Sequence, residues 1–193
     1  ERMGKVDTVA FDKTGTLTNG NLTVKDISPL SDTLDETELL RIAASAERYS
    51  EHPLAKAITA YARQQNTELL EAADFRMLSG RGISAVIRGE KIFCGSAAFL
   101  KEQQIEICAM AEQILEQFRT EGKAVILAAD QRRLLGAVTL SDTLRDTAAY
   151  TIKKLRKTGT HAVLLTGDHK QTAEYFAKQA GIEDVRAELL PEQ

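Results

Sequence analysis

The sequence predicts an α/β protein built as a parallel α/β domain split by an inserted α+β domain. Three observations predict it. The chain opens on a short apolar run, Val6 to Phe11, that ends at a carboxylate, Asp12, and a small polar turn. The last third alternates short apolar runs with helical patterns, the signature of parallel βαβ units. The middle carries a hairpin and helices without that alternation. The split domain is therefore expected over 1–21 and 132–193, and the inserted domain over 22–131, with hinges near 20–24 and 130–133.

Taken in order, residues 6–11 read as a buried strand, mostly apolar and short. Asn19-Gly20-Asn21 is a turn signal, and Leu22 to Ile27 a strand leaving it. Ser31 to Asp35 marks a loop and a helix start. Leu39, Ile42, Ala43 and Ala46 then share one helical face. A second helix starts near Pro53, where proline suits the first turn, and Leu54, Ala57, Ile58 and Tyr61 repeat the spacing. Residues 83–88 and 91–94 read as strands joined by Gly89-Glu90. A helix over 103–119 places Cys108, Ala111, Leu115 and Phe118 on one face. Apolar runs at 124–129 and 134–140 follow. A helix through Ala148, Ile152 and Leu155 runs to Gly159 and leads to a strand at His161 to Leu165. A last helix carries Ala173, Phe176, Ala177 and Ala180, and Val185 to Leu189 reads as one more strand.

Composition narrows the function. The 193 residues are 43% hydrophobic and 27% charged with net charge −3, the profile of a soluble globular protein. No basic stripe is present, which argues against a nucleic-acid partner. No apolar run reaches the roughly eighteen residues of a membrane span, and there is no signal peptide. Cys94 and Cys108 lack CxxC spacing and read as two reduced thiols.

The densest chemical signal is Asp12-Lys13-Thr14-Gly15-Thr16. In open α/β sheets ligands bind beyond the carboxyl ends of the strands. A carboxylate there can act as a nucleophile, and hydroxyls with an unobstructed backbone suit phosphate oxygens. The apolar runs ending at Leu140 and Leu165 are followed by Asp142 and Asp168, the latter inside Thr166-Gly167-Asp168. If the three strands are neighbours, the three acids converge on one edge able to hold Mg²⁺ and phosphate. Asp142 and Asp168 suit equally the N-caps of the helices after them, and both roles are compatible. A second constellation lies in the insertion: Glu47, Ser50-Glu51-His52-Pro53, Ser79-Gly80-Arg81-Gly82, and Gly95 after the hairpin. An isolated histidine before proline also reads as a surface loop residue, and a glycine pair as a tight turn or as backbone open to a flat ligand.

Asp12-Lys13-Thr14-Gly15-Thr16 resembles the phosphorylation motif of the P-type ion-motive ATPases, and the resemblance extends over the whole chain. It implies a haloacid dehalogenase-like phosphorylation domain, incomplete at its C-terminus, with an inserted nucleotide-binding domain. Asp12 would accept the γ-phosphate of ATP, with Lys13, Thr14, Asp142, Thr166, Gly167 and Asp168 around it. Mg²⁺ would be held by Asp12 and the main-chain carbonyl of Thr14. Soluble phosphatases of the superfamily carry a second Asp at the position of Thr14, whose hydroxyl cannot serve as acid/base near neutral pH. Asp142-Thr143-Leu144-Arg145 resembles the second motif of the phosphorylation domain, and His169 stands where the family has Asn.

Glu47, His52, Gly80, Gly82 and Gly95 resemble the adenine site of the heavy-metal-transporting (type IB) branch. Ser96 replaces the Asn of copper-transporting members. With Asp142 to Asp146 and Ala187 to Pro191, it tilts the resemblance toward the zinc/cadmium class. The implied partners are ATP and a heavy-metal cation carried through membrane segments outside this chain. The implied setting is the cytoplasmic part of an integral membrane protein, here a monomer. A copper-transporting ATPase and a soluble phosphatase with a cap domain are the alternatives. The chain reads as a piece of a longer polypeptide. It ends where the family places a phosphate-binding lysine and before the Gly-Asp-Gly loop that supplies a further Mg²⁺-binding Asp. It is therefore expected to bind nucleotide and hydrolyse it weakly or not at all.

Overall fold

The computed structural model describes residues 6–31, 34–78, 80–168 and 170–189. Asp32, Thr33, Ser79 and His169, and the readings on residues 1–5 and 190–193, lie outside them; the last strand, expected over Val185 to Leu189, is shorter and ends at Arg186. The chain divides into two compact units. The first comprises 1–21, 119–123 and 142–193, and the second 22–118 and 124–141.

The first unit is built on three parallel strands: β1 (Thr8–Asp12), β8 (His161–Leu165) and β9 (Asp184–Arg186), in the order β1-β8-β9. The helices α5 (Ala148–Lys157) and α6 (Lys170–Ala180) precede and follow β8, so β8-α6-β9 is a βαβ unit. Ile152, Leu164, Ala173, Ala177, Ala180 and Leu17 form its core, with Phe11 packed against them. β1 departs from the buried strand expected. Thr8, Ala10 and Asp12 are exposed while Val9 and Phe11 are half-buried, an alternation that places one face of the strand on the core.

The second unit is a six-stranded antiparallel sheet in the order β2-β7-β6-β5-β4-β3. Its strands are β2 (Thr23–Pro29), β3 (Ala72–Leu78), β4 (Gly82–Ile87), β5 (Glu90–Gly95), β6 (Ala124–Ala129) and β7 (Leu134–Ser141). α1 (Glu36–Ala46) and α2 (Pro53–Gln64) cover one face, where Leu39, Leu40 and Ile58 meet Ile83, Ala85 and Val138. α3 (Ala97–Glu102) and α4 (Ala109–Thr120) cover the other, where Phe99, Leu100 and Leu115 meet Phe93, Leu127 and Ala137. Residues of opposite parity on β5 and β6 serve the two cores, as the two-residue period requires.

Four sequence expectations change. β7 belongs to the inserted sheet, between β2 and β6, so the insertion ends at Ser141–Asp142 and not at 130–133. Every residue of β7 is buried, so its apolar run carries no alternation by which a parallel and a central antiparallel strand differ. The helix expected over 103–119 is α3 and α4 with a non-helical stretch between, which tucks Ile105 and Ile107 into the core. β3 was not anticipated, because it is an edge strand whose residues are mostly exposed. The hairpin loop is Arg88-Gly89, one residue earlier than expected, with Ile87 opposite Glu90. Both loop residues have positive φ, the twist a two-residue hairpin favours, and Arg88 pairs with Glu38 at 2.9 Å.

Candidate functional site

Two sites emerge, one in each unit. In the first, β1 and β8 run parallel with Asp12 opposite Leu165, so Asp12 and the segment Thr166-Gly167-Asp168 leave the same end of the sheet. Asp12 is exposed, and its carboxylate takes no hydrogen bond or ion pair among the described residues. The turn after it, Lys13–Leu17, is not helical at Thr14 or Gly15; Gly15 sits at φ +78°, where a side chain would be strained. Thr14 and Thr16 are exposed. Lys13 is buried, with its Nζ 2.7 Å from Asp168 Oδ2 and 5.2 Å from the Phe176 ring centre. Asp168 also accepts a bond from the Thr166 hydroxyl at 3.0 Å, and its N–H donates back to that hydroxyl at 3.2 Å.

Asp142 does not reach this edge from a neighbouring strand, because β7 lies in the other sheet. It is buried and accepts from the Thr18 hydroxyl at 2.5 Å and from the N–H groups of Thr143, Gly20 and Asn21 at 2.7, 3.1 and 3.2 Å. Nor does it cap α5, whose N-cap position is Thr147. Arg145 belongs to the second-motif resemblance but is not among the expected site residues. Its guanidinium donates to the carbonyls of Gly15 at 2.8 Å and Thr18 at 3.1 Å, and its N–H to that of Leu17 at 2.9 Å. The signal that could have found it is the Arg three residues after Asp142.

In the second unit Glu47, His52, Gly80, Gly82 and Gly95 all line one cavity of about 230 Å³, with Ser50, Met77, Cys94 and Ile126 among the other walls. Glu47 lies in a short 3₁₀ turn after α1 and is 4% exposed. Burial pushes its carboxyl up to about 7, opposed by a hydrogen bond with the Ser50 side chain. Cys94 is fully buried, and burial, with the Glu47 charge second, raises its thiol well above the ordinary value. Cys108 is exposed. His52 is exposed and is the N-cap of α2; its Nδ1 accepts from Leu54 N–H at 3.3 Å, which leaves the proton on Nε2. His52 is thus an exposed residue that lines the cavity.

The glycines differ in what they do. Gly82 and Gly95 stand opposite each other on β4 and β5. A Cβ on Gly82 would lie 2.5 Å from both the Cys94 carbonyl and the Phe99 ring, and one on Gly95 would lie 2.6 Å from the Arg81 carbonyl. Their first requirement is therefore close packing within the protein itself. Gly80, at φ +73°, faces open space.

A Mg²⁺–phosphate group fits the first site by the chemistry of its donors. Asp12 offers an uncommitted carboxylate and Thr14 a main-chain carbonyl in an exposed turn. No cluster of three or more His, Cys, Asp or Glu able to hold a metal occurs among the described residues.

Comparison with known proteins defines the class. The haloacid dehalogenase-like hydrolase family matches residues 6–193, and the chain belongs to it. Within that family its similarity is to heavy-metal P-type ATPases. It is 40% identical over 193 residues to a copper-exporting P-type ATPase of Staphylococcus saprophyticus, covering 100% of this chain and 23% of that protein. It superposes on a zinc-transporting PIB-type ATPase in its E2.Pi state with a TM-score of 0.80 and 36% identity, over 99% of this chain and 30% of that one. The catalytic domain of the CPx-ATPase CopB-B gives 0.75 and 27%, over 99% of this chain and 64% of that one. The chain thus spans about a quarter of the curated relatives it matches. No helix among the described residues is long and apolar enough to cross a membrane.

Proposed function

We propose that this chain is the ATP-binding and phosphate-accepting cytoplasmic part of a heavy-metal cation-transporting P-type ATPase. One observation carries the reading: an uncommitted carboxylate, Asp12, at the carboxyl end of a parallel strand, followed by an exposed Thr-Gly-Thr turn. The first unit is then the phosphorylation domain and the second the nucleotide-binding domain. An Asp12 oxygen attacks the γ-phosphorus of ATP, and the bond to the bridging oxygen breaks as ADP leaves. The aspartyl phosphate is later hydrolysed by water. Asp12 and the Thr14 carbonyl would hold Mg²⁺, which would supply positive charge against the repulsion between carboxylate and phosphate. Lys13, Thr166, Gly167 and Asp168 frame the phosphoryl group. Thr14 supports a long-lived acyl phosphate, because its hydroxyl is no general base near neutral pH.

The cavity of the second unit takes the adenine. About 230 Å³ is below the roughly 300–1,000 Å³ of sites enclosing a whole ligand, so a flat ring enters and the sugar and phosphates extend outside. Glu47 and His52 supply polar groups and the glycine strands one wall. The domain boundaries are those of the two units, with β7 in the nucleotide-binding part. For the ion, Ser96 supports a zinc/cadmium-like pump. It is the N-cap of α3, accepting from Phe99 N–H at 3.2 Å. The second reading, copper, is supported by the copper-exporting relatives.

The test is an ATP titration of wild type, His52→Gln and Asp12→Asn by calorimetry, with γ-labelled ATP as the covalent readout. His52→Gln should weaken binding up to about tenfold, the loss of one hydrogen bond at the cavity mouth. Asp12→Asn should bind ATP as wild type and take no label. Unchanged affinity in His52→Gln removes the adenine assignment, and label retained in Asp12→Asn removes the acceptor.

A further inference from the structure

We propose that Thr18, Asp142 and Arg145 form a latch that sets the backbone of the Lys13–Leu17 turn and so positions Asp12. The inference rests on the reading of Asp12 as phosphate acceptor, and it gives Asp142 a positioning role in place of a phosphate contact.

The turn presents a problem of its own. Thr14, Gly15 and Thr16 are exposed, and the backbone leaves helical geometry at Thr14 and Gly15. Regular secondary structure therefore does not hold it. Besides the Lys13–Asp168 ion pair and the burial of Leu17, what holds it comes from one short segment more than 120 residues later in the chain. Arg145 binds three carbonyls of the turn and its exit, those of Gly15, Leu17 and Thr18. The guanidinium takes the carbonyls of Gly15 and Thr18 and the backbone N–H that of Leu17; a planar fork serves its two in one orientation, which an ammonium does not match. An isolated β-bridge between Thr18 and Leu144 aligns the two segments.

Thr18 is the hub. Its hydroxyl is fully buried and lies 2.5 Å from Asp142 Oδ2, 3.1 Å from the Lys13 carbonyl and 3.3 Å from Gly15 N–H. It has one proton to give. The short contact to a carboxylate is the charge-assisted bond and takes that proton. The oxygen lone pairs then accept from Gly15 N–H, while the Lys13 carbonyl is satisfied by Thr18 N–H at 3.0 Å. Asp142 thereby fixes which way the hydroxyl faces. Each oxygen of Asp142 already accepts two bonds: Thr18 and Gly20 on Oδ2, Asn21 and Thr143 on Oδ1. Contacting phosphate or Mg²⁺ would require it to give up this set. The same carboxylate binds the N–H groups of Gly20 and Asn21, so the end of segment 1–21 is tied to the start of segment 142–193.

The test compares Thr18→Val, Thr18→Ser and Arg145→Gln in the 193-residue chain. Amide exchange of Gly15 and Thr18 reads the turn. Beryllofluoride with Mg²⁺, followed by ¹⁹F NMR, reads how well Asp12 takes a phosphoryl mimic. Thr18→Val keeps shape and loses the hydroxyl, whereas Thr18→Ser does the reverse. Thr18→Val and Arg145→Gln should speed exchange and weaken beryllofluoride, each about tenfold, and Thr18→Ser should restore both to near wild type. The opposite order, Val tolerated and Ser damaging, would make Thr18 a packing residue and overturn the latch. So would wild-type exchange in Arg145→Gln, an exposed position that carries the test if Thr18→Val does not fold. A wild-type chain that forms no beryllofluoride adduct removes the acceptor reading alone, and the exchange measurements still decide the latch.

Discussion

Replacing Glu47 with glutamine should change how the stability of the chain depends on pH. The side chain is 4% exposed, and its carboxyl rises from the ordinary 4.5 to about 7, chiefly through burial. Below about pH 4.5 the carboxyl is protonated in folded and unfolded chains alike and contributes nothing to the pH dependence. Between about 4.5 and 7 the unfolded chain has lost the proton and the folded chain keeps it, so stability falls as pH rises. Above 7 the folded chain carries a buried charge, and the full loss is about 3 kcal/mol. Glu47→Gln removes the titration and keeps the shape. The difference in unfolding free energy between variant and wild type should therefore shift by about 3 kcal/mol in favour of the variant between pH 4.5 and 8. Urea unfolding followed by circular dichroism suits a chain with no tryptophan. A difference that stays flat across that range would refute the argument, since a constant offset reports only the altered hydrogen bond with Ser50.

Two further predictions rest on local geometry. Gly82→Ala should cost about 1–3 kcal/mol by overpacking, because the new methyl meets the Cys94 carbonyl and the Phe99 ring at 2.5 Å. Gly80→Ala should cost about 1–2 kcal/mol from its φ of +73° alone, with open space around the methyl; thermal melts rank the two, and equal wild-type stability in Gly82→Ala would contradict the packing argument. In the native chain iodoacetamide should alkylate exposed Cys108 and spare Cys94, whose thiol is buried and held protonated. Mass spectrometry reads the sites, and comparable labelling of Cys94 would deny its burial.

Much of the chemistry was legible because it is local. Asp12 and its turn are contiguous, and a short apolar run before them is enough to place a carboxylate at a strand end. The helical faces of α1, α2, α5 and α6 also follow from spacing, since Leu39, Ala43, Ile58 and Ala177 are buried where the period puts them. Edges and exceptions were less legible. β3 has few buried residues to mark it, and α3 is a single short segment anchored by Phe99 and Leu100.

Sequence alone determined the acceptor candidate, five of the residues that line the cavity, and a division of the chain into a split α/β part and an insertion. Tertiary structure decided which sheet β7 joins, and with it where the insertion ends. A fully buried apolar run does not encode its pairing partner, and only the ladder with β2 and β6 does. It also moved Asp142 from the sheet edge to a carboxylate that binds Thr18, Gly20 and Asn21 across more than 120 residues. It set the carboxyl of Glu47 near neutrality, because desolvation depends on what surrounds a side chain and not on its neighbours in sequence.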